Sequence, residues 1–467
     1  MRMNEESEER DEVLATVQRF ERMLADGEPM FFDLGDFESI IDHYTQSTQF
    51  DKALQACEAA VAQYPFSTEL LIDRAQVLAM RGQYQEALVQ IDEVAGRDPD
   101  NADVAVTRGI IATQQGDFPA AVGYFQQGAE RAPDRDDIYF NLGLAYQQWQ
   151  KFKSAARSYK QSLKLNPDND AAVQELLYCL EVSGRLETNL EFFRRFTDED
   201  PYSAIAWYNL GQAYYKAAQY GNAAQAFDYA ILIDGKFYEA HAYLASCFVS
   251  MEEYQRAIDE FQLSYPEGEP TAEALCNIGE CYEKLRQWDQ SRRHYQKALD
   301  LDPEMDEAWF GIGVILDAQE HWFQALHYYR KAVGLYAESG EYWIALAGAE
   351  YQVGNVVSAL EAYEKATEVQ PEMPEGWINW SAILYEQGNY DGAIDLMKTA
   401  SELLPEDADL LYRLCAYQLA AGRYRQAYDV LENALLLDFD KHRLLFEFFP
   451  ELEQQRALTR LIEQYRK

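Results

Sequence analysis

The sequence predicts an all-α chain, a stack of helical hairpins with no separate catalytic domain. Three observations lead there. A 34-residue period runs from Leu34 to Lys441 without insertion or deletion. Small residues recur at fixed positions with helical spacing. Glycine and proline recur where helices have to stop.

The period sets twelve repeats, beginning at residues 34, 68, 102, 136, 170, 204, 238, 272, 306, 340, 374 and 408. Position 20 is alanine in ten of the twelve; Asn189 and Ser291 are the exceptions. Position 8 is small in ten, as at Gly109, Gly143, Gly211, Gly279 and Gly313. Position 17 is aromatic in ten, and position 32 is proline in eight. Positions 4, 7, 8 and 11 form one face of a first helix, and positions 20, 24 and 27 the facing stripe of a second. Small residues at 8, 20 and 27 then let two backbones approach, while large ones at 4, 11 and 24, such as Trp207, Tyr214 and Phe227, fill the space beside them. Glycine at position 15 (Gly82, Gly116, Gly184, Gly354, Gly388 and Gly422) suits a left-handed helix C-cap. Proline at 32 cannot continue the second helix. One hairpin cannot cover its own apolar faces, so neighbours must stack.

The flanks divide the chain further. Residues 1–33 read as an N-terminal capping helix, with Val13, Val17, Phe20 and Leu24 in helical register. Residues 34–441 are the repeats. Residues 442–467 read as C-terminal capping helices, LLFEFFPEL and ALTRLIEQY. An open end of such an array exposes an apolar face, and caps cover it.

Composition narrows the function. Of 467 residues 48% are hydrophobic, enough to fold without metals or disulfides. The 40 basic and 80 acidic residues give a net charge of -40. That field repels nucleic-acid backbones and anionic membranes and draws in a basic partner, an attraction that salt weakens. The same charge also keeps an aromatic-rich array in solution. No apolar run reaches the roughly 18 residues of a membrane helix. The polar opening MRMNEESEERDEV is unlike a signal peptide, so the expected location is the cytoplasm. No CxxC pair, HExxH, GxSxG or Gly-rich phosphate loop occurs, and the six histidines lack metal-ligand spacing. Catalytic residues, cofactors and metals are therefore not expected. Cys179, Cys247 and Cys281 all fall at position 10, which marks them as packing residues.

Residues 203–236, SAIAWYNLGQAYYKAAQYGNAAQAFDYAILIDGK, are similar to the tetratricopeptide repeat, and the resemblance extends over 34–441. It implies a right-handed superhelical α-solenoid whose first helices line a concave face. Ligands there would touch positions 2, 5, 6, 9, 12 and 13. The implied function is a non-catalytic scaffold or adaptor binding a protein or peptide. The alternative is a chaperone-like assembly factor that shields a basic client with its acidic surface. In this register the candidate ligand residues are Phe140, Asn141, Tyr178, Tyr208, Asn209, Gln212 and Tyr215 in repeats four to six, with Asn277 and Asn379 further on. An asparagine amide can donate to and accept from a peptide backbone at once, and tyrosine joins a large apolar area to a hydroxyl. Packing against neighbouring helices is the plainer role for the same aromatic residues. Acid at position 2 in nine repeats removes one residue of the cationic clamp by which such arrays hold a C-terminal carboxylate.

Two departures stand out. Repeat five, 170–203, has Leu177, Asn189 and Phe196 where small residues belong, which should force its helices apart. Lys151, Lys153, Arg157, Lys160 and Lys164 form the one clear basic patch, read either as a solvated face or as a contact for an acidic partner or a second copy.

Overall fold

A computed structural model describes residues 2–26, 30–266, 268–450, 452 and 456–466, and every regular element among them is helical. Residues 27–29, 451 and 453–455, parts of the expected caps, lie outside that set. The chain divides into two bodies, Met1–Gly235 with repeats one to six and Lys236–Lys467 with repeats seven to twelve.

The 34-residue period is realised directly. All twelve first helices start at position 1 and run 13 residues, from Leu34–Gln46 to Ala408–Ala420. Eleven second helices start at position 17, and ten of the twelve run 14 residues. The preceding residue caps most first helices. The side chains of Asp33, Ser67, Asn101, Asn169, Ser203, Thr271, Ser339 and Asp407 each accept a backbone N–H of the first turn.

The first helix ends in every repeat with position 15 in the left-handed region. Six repeats use the glycines named above, with φ from +62° to +86°. The other six place Thr48, Gln150, Ala218, Glu252, Arg286 and Glu320 there, with φ from 54° to 62°. A side chain in that conformation costs about 1 kcal/mol, partly offset by the greater freedom of glycine in the unfolded chain. Ala218→Gly is therefore expected to stabilise the N-terminal body by up to ~1 kcal/mol in urea titration; a loss of stability would contradict this account of the turn.

Position 8 glycine serves a different partner from the facing backbone. In five repeats the ring at position 24 of the second helix lies directly over it: Phe125 on Gly109, Tyr159 on Gly143, Phe227 on Gly211, Tyr295 on Gly279 and Tyr329 on Gly313. A Cβ at Gly211 would stand 2.6 Å from Phe227, far inside contact distance. Position 4 tryptophans close the loop between repeats. The indole N–H of Trp207, Trp309, Trp343 and Trp377 donates to the carbonyl at position 32 of the preceding repeat at 2.9–3.0 Å.

Two repeats break the rhythm. In repeat five Leu177 is buried where glycine would sit, and residues 187–189 form a 3-10 turn. Its second helix therefore starts late, at Leu190–Glu199, and its two helices barely approach each other, unlike every other pair. In repeat seven the second helix is only Tyr254–Phe261, and the chain leaves it before Pro266.

At the amino end the helix Arg2–Asp26 buries Val17 and Phe20 against Phe32, Phe37 and Tyr44, with Phe20 and Phe32 rings 5.9 Å apart. Leu24, expected on the same face, is 43% exposed. At the carboxyl end Leu445, Leu452, Leu458 and Ile462 join Tyr412 and Leu431 in one cluster.

Candidate functional site

Within each body, first helices neighbour first helices. Thr68–Met80 lies between Leu34–Gln46 and Ala102–Gln114, and Asp306–Ala318 lies between Ala272–Lys284 and Gly340–Gln352. Residues at positions 2, 5, 6 and 9 of successive repeats thus share one continuous surface.

The candidate residues in repeats four to six fall into two sets. Phe140 and Tyr208 are half-buried and lean on the position 24 rings of their own repeats, Tyr159 at 5.7 Å and Phe227 at 5.8 Å. Tyr178 is 48% exposed, edge-on to Phe152 at 6.2 Å, and Tyr215 packs edge-on to Tyr220 at 5.4 Å. The amides are engaged within the chain. Asn141 donates to the carbonyl of Asp137 at 2.8 Å, one turn back in its own helix. Asn209 is buried and donates to the carbonyl of Pro167. Gln174 donates to Oε1 of Gln212 at 3.1 Å, tying the first helices of repeats five and six. Gln212 is 2% exposed, and its Nε2 has no hydrogen-bond partner among the described residues. Asn277 and Asn379 belong to the C-terminal body; Asn277 is half-buried, and Asn379 is exposed and bonded to Tyr363.

A cluster that the sequence reading passed over lies on the first helices of repeats one to three. Glu38 and Asp42 stand at positions 5 and 9 of repeat one, Glu69 and Asp73 at 2 and 6 of repeat two, and Asp103 at 2 of repeat three. Asp73 is half-buried. Burial first, then the charges of Asp42, Glu38, Glu69 and Asp103, push its carboxyl up to about 7. Burial and its acidic neighbours Glu69 and Asp42 also raise Glu38, and burial raises Asp42. Among the described residues none of Glu38, Asp42, Glu69 and Asp73 is in an ion pair, whereas Asp103 is paired with Arg135. Acids are so common in this chain that no single one was conspicuous. The signal is their shared helix face, positions 2, 5, 6 and 9, across three repeats.

The C-terminal body repeats the theme. Glu280, Glu283, Asp306, Glu307 and Glu341 lie on the first helices of repeats eight to ten. Glu283 is raised by burial, against the opposing effect of the Tyr295 hydroxyl that donates to it at 3.0 Å. Tyr342 donates to Asp306 at 2.9 Å.

All six cysteines are buried. Burial pushes the Cys179, Cys276, Cys281 and Cys415 thiols up to about 12, so they are inert as nucleophiles at neutral pH. Among the described residues no group of His, Cys, Asp and Glu has the arrangement of a metal site. No helix among them is long and apolar enough to cross a membrane.

Profiles of the tetratricopeptide repeat match residues 137–169 and 272–305; 44–108 and 384–444; and 106–148, 190–237, 208–272 and 316–374. The curated proteins contain no match to the sequence. Among solved structures the chain is similar to YrrB, described as a TPR protein with an unusual peptide-binding site, at 21% identity and a TM-score of 0.32 over 39% of this chain and 95% of that one. It is similar to a chain of the APC/C hetero-tetramer Cut9–Hcn1 at 14% identity and a TM-score of 0.43, over 88% and 94%. It is also similar to MamA at 21% identity and a TM-score of 0.31, over 33% and 91%. With these profiles spread from residue 44 to residue 444 over hairpins of the same period, the chain belongs to the tetratricopeptide repeat family.

Proposed function

We propose that this protein is a non-catalytic interaction scaffold that holds a cationic segment of a partner protein along its first-helix surface, foremost across repeats one to three. One observation carries the reading. Glu38, Asp42, Glu69 and Asp73 lie close together on adjacent helices, and among the described residues none of them is in an ion pair. Carboxylates held together in this way repel, and a lysine- or arginine-rich segment relieves that repulsion by lowering their pKa values. The net charge of -40 steers such a partner toward the surface. The reading keeps the scaffold expected from the sequence and takes the basic client from its alternative. It gives the amide and aromatic residues of repeats four to six a secondary, positioning part. The terminal segments 1–33 and 442–467 act as caps that keep neighbouring arrays apart. The buried Cys57, Cys179, Cys276, Cys281 and Cys415, none of them in a disulfide, suit a reducing cytoplasm.

The test compares three substitutions, Asp42→Asn, Glu69→Gln and Asp73→Asn together, with an equal neutralisation on second helices, Glu58→Gln, Glu86→Gln and Glu130→Gln. Titrated with a fluorescent lysine-rich peptide, the first variant is expected to lose about tenfold in affinity, at roughly 0.2–1 kcal/mol per exposed charge pair. The second should bind nearly as the native chain does. Equal losses in both would mean that only net charge matters and would sink the proposed site.

A further inference from the structure

The second helix of repeat four, Phe152–Leu165, carries four cations and no carboxylate, in a chain with twice as many acids as bases. Lys153, Arg157, Lys160 and Lys164 stand at i, i+4, i+7 and i+11, so they form one stripe along the helix. The stripe is separate from the buried face of Ala155, Tyr159, Ser162 and Leu163. Like charges at this spacing repel, and the sequence supplies no acid within the helix to offset them.

Repeat five completes the surface. Its late second helix and the 3-10 turn before it bring Asn189 and Phe192 against Lys160. The Lys160 ammonium donates to Oδ1 of Asn189 and sits 4.7 Å from the centre of the Phe192 ring. Lys164 and Arg195 are near enough for their charges, after burial, to lower the Lys160 pKa. Lys153, Arg157, Lys164 and Arg195 are exposed, and among the described residues none of them is in an ion pair. The irregularity of repeat five thus places an aromatic ring beside the basic stripe.

We propose that this basic face, the cation stripe of Phe152–Leu165 with Phe192 beside it, docks a short acidic segment of a partner protein. It is a second binding surface, distinct from the first-helix carboxylates and of opposite charge. The size of the stripe argues for a short segment. Eleven residues of helix span about 16 Å, the reach of roughly five extended residues. The charge balance argues for a peptide over a nucleic acid. At about 0.1 M salt the screening length is about 10 Å, so a short peptide on the patch is shielded from the distant negative charge, whereas a long polyanion is not. Phe192 and Phe196, both half-buried beside the stripe, offer contact to an apolar residue within such a segment.

The test uses the full chain and a fluorescent oligoglutamate peptide containing one phenylalanine, followed by anisotropy. Lys153→Glu, Arg157→Glu and Lys164→Glu are combined, and Lys160 is kept because it is engaged with Asn189 and Phe192. A matched control reverses Arg292→Glu, Arg293→Glu and Lys297→Glu on the second helix of repeat eight. The native chain and the control are expected to bind saturably, and the repeat-four variant about tenfold more weakly, with unchanged thermal melting. Absence of binding by the native chain, or equal losses in both variants, would overturn the proposal. So would a preference of the patch for a single-stranded oligonucleotide or for phosphatidylserine vesicles. Self-association of the native chain in sedimentation, lost in the repeat-four variant, would assign the basic face to a second copy and overturn the proposal as well.

Discussion

Tyr295→Ala is expected to destabilise the C-terminal body by about 3–5 kcal/mol, the range for removing a large buried ring. Tyr295 is 3% exposed, and its ring lies between Gly279 of its own repeat and Gly311 of the next. Both flanking residues are glycines that the ring covers at close range, so neither has a side chain to move into the space left by truncation. The hydroxyl adds a second cost, because it donates to Glu283, a carboxyl already raised by burial. Tyr295→Phe removes only that donor and should cost about 1–2 kcal/mol. Gly279→Ala should cost about 1–3 kcal/mol by overpacking against the same ring. In a repeat array the loss is local, so hydrogen exchange should quicken in repeats eight and nine before the rest. A truncation that costs under about 1 kcal/mol would show that the ring-over-glycine contact does not hold the hairpins together.

The second large effect is a pH dependence carried by Asp73. Its carboxyl titrates near about 7 in the folded chain, against an ordinary value of 3.8. The folded state therefore binds a proton that the unfolded state has lost between about pH 4 and pH 7, and stability falls as pH rises through that window. Each pKa unit corresponds to about 1.4 kcal/mol, which sets an upper bound of roughly 4 kcal/mol for this group above pH 7. Asp73→Asn keeps the shape and removes the titration. The variant and the native chain should be about equally stable near pH 4, and the variant should be more stable above pH 7. Urea titrations across this range check the difference curve. A flat difference would mean that burial and the nearby Asp42, Glu38 and Glu69 do not raise the Asp73 carboxyl.

Much of this was legible because the repeat is strict. The period gives the pairing of two helices per repeat, and the structure starts every first helix at position 1 of that period. Half of the left-handed turns were not legible. Ala218 and Glu320 carry no mark of that conformation, which the hairpin imposes on whatever residue falls there. Leu177, Asn189 and Phe196 flagged repeat five in advance, yet the sequence did not say that the second helix would begin late or that Asn189 would meet Lys160. Tertiary packing made that choice. The position 8 glycines were read as room for backbone, and the structure fills that room with the position 24 rings. Asn141 and Asn209 occupy the register expected of a ligand ladder, but carbonyls of the chain itself compete for their amides. The carboxylates of repeats one to three were hidden by abundance, for acidity is informative here only once residues from three helices are placed side by side.

The most direct measurement of the central claim is hydrogen exchange of the full chain with and without a saturating lysine-rich peptide. The account predicts protection concentrated in the first helices Leu34–Gln46, Thr68–Met80 and Ala102–Gln114, with the protection abolished in the Asp42→Asn, Glu69→Gln, Asp73→Asn variant. Protection on the second helices, or protection that survives these substitutions, would contradict it.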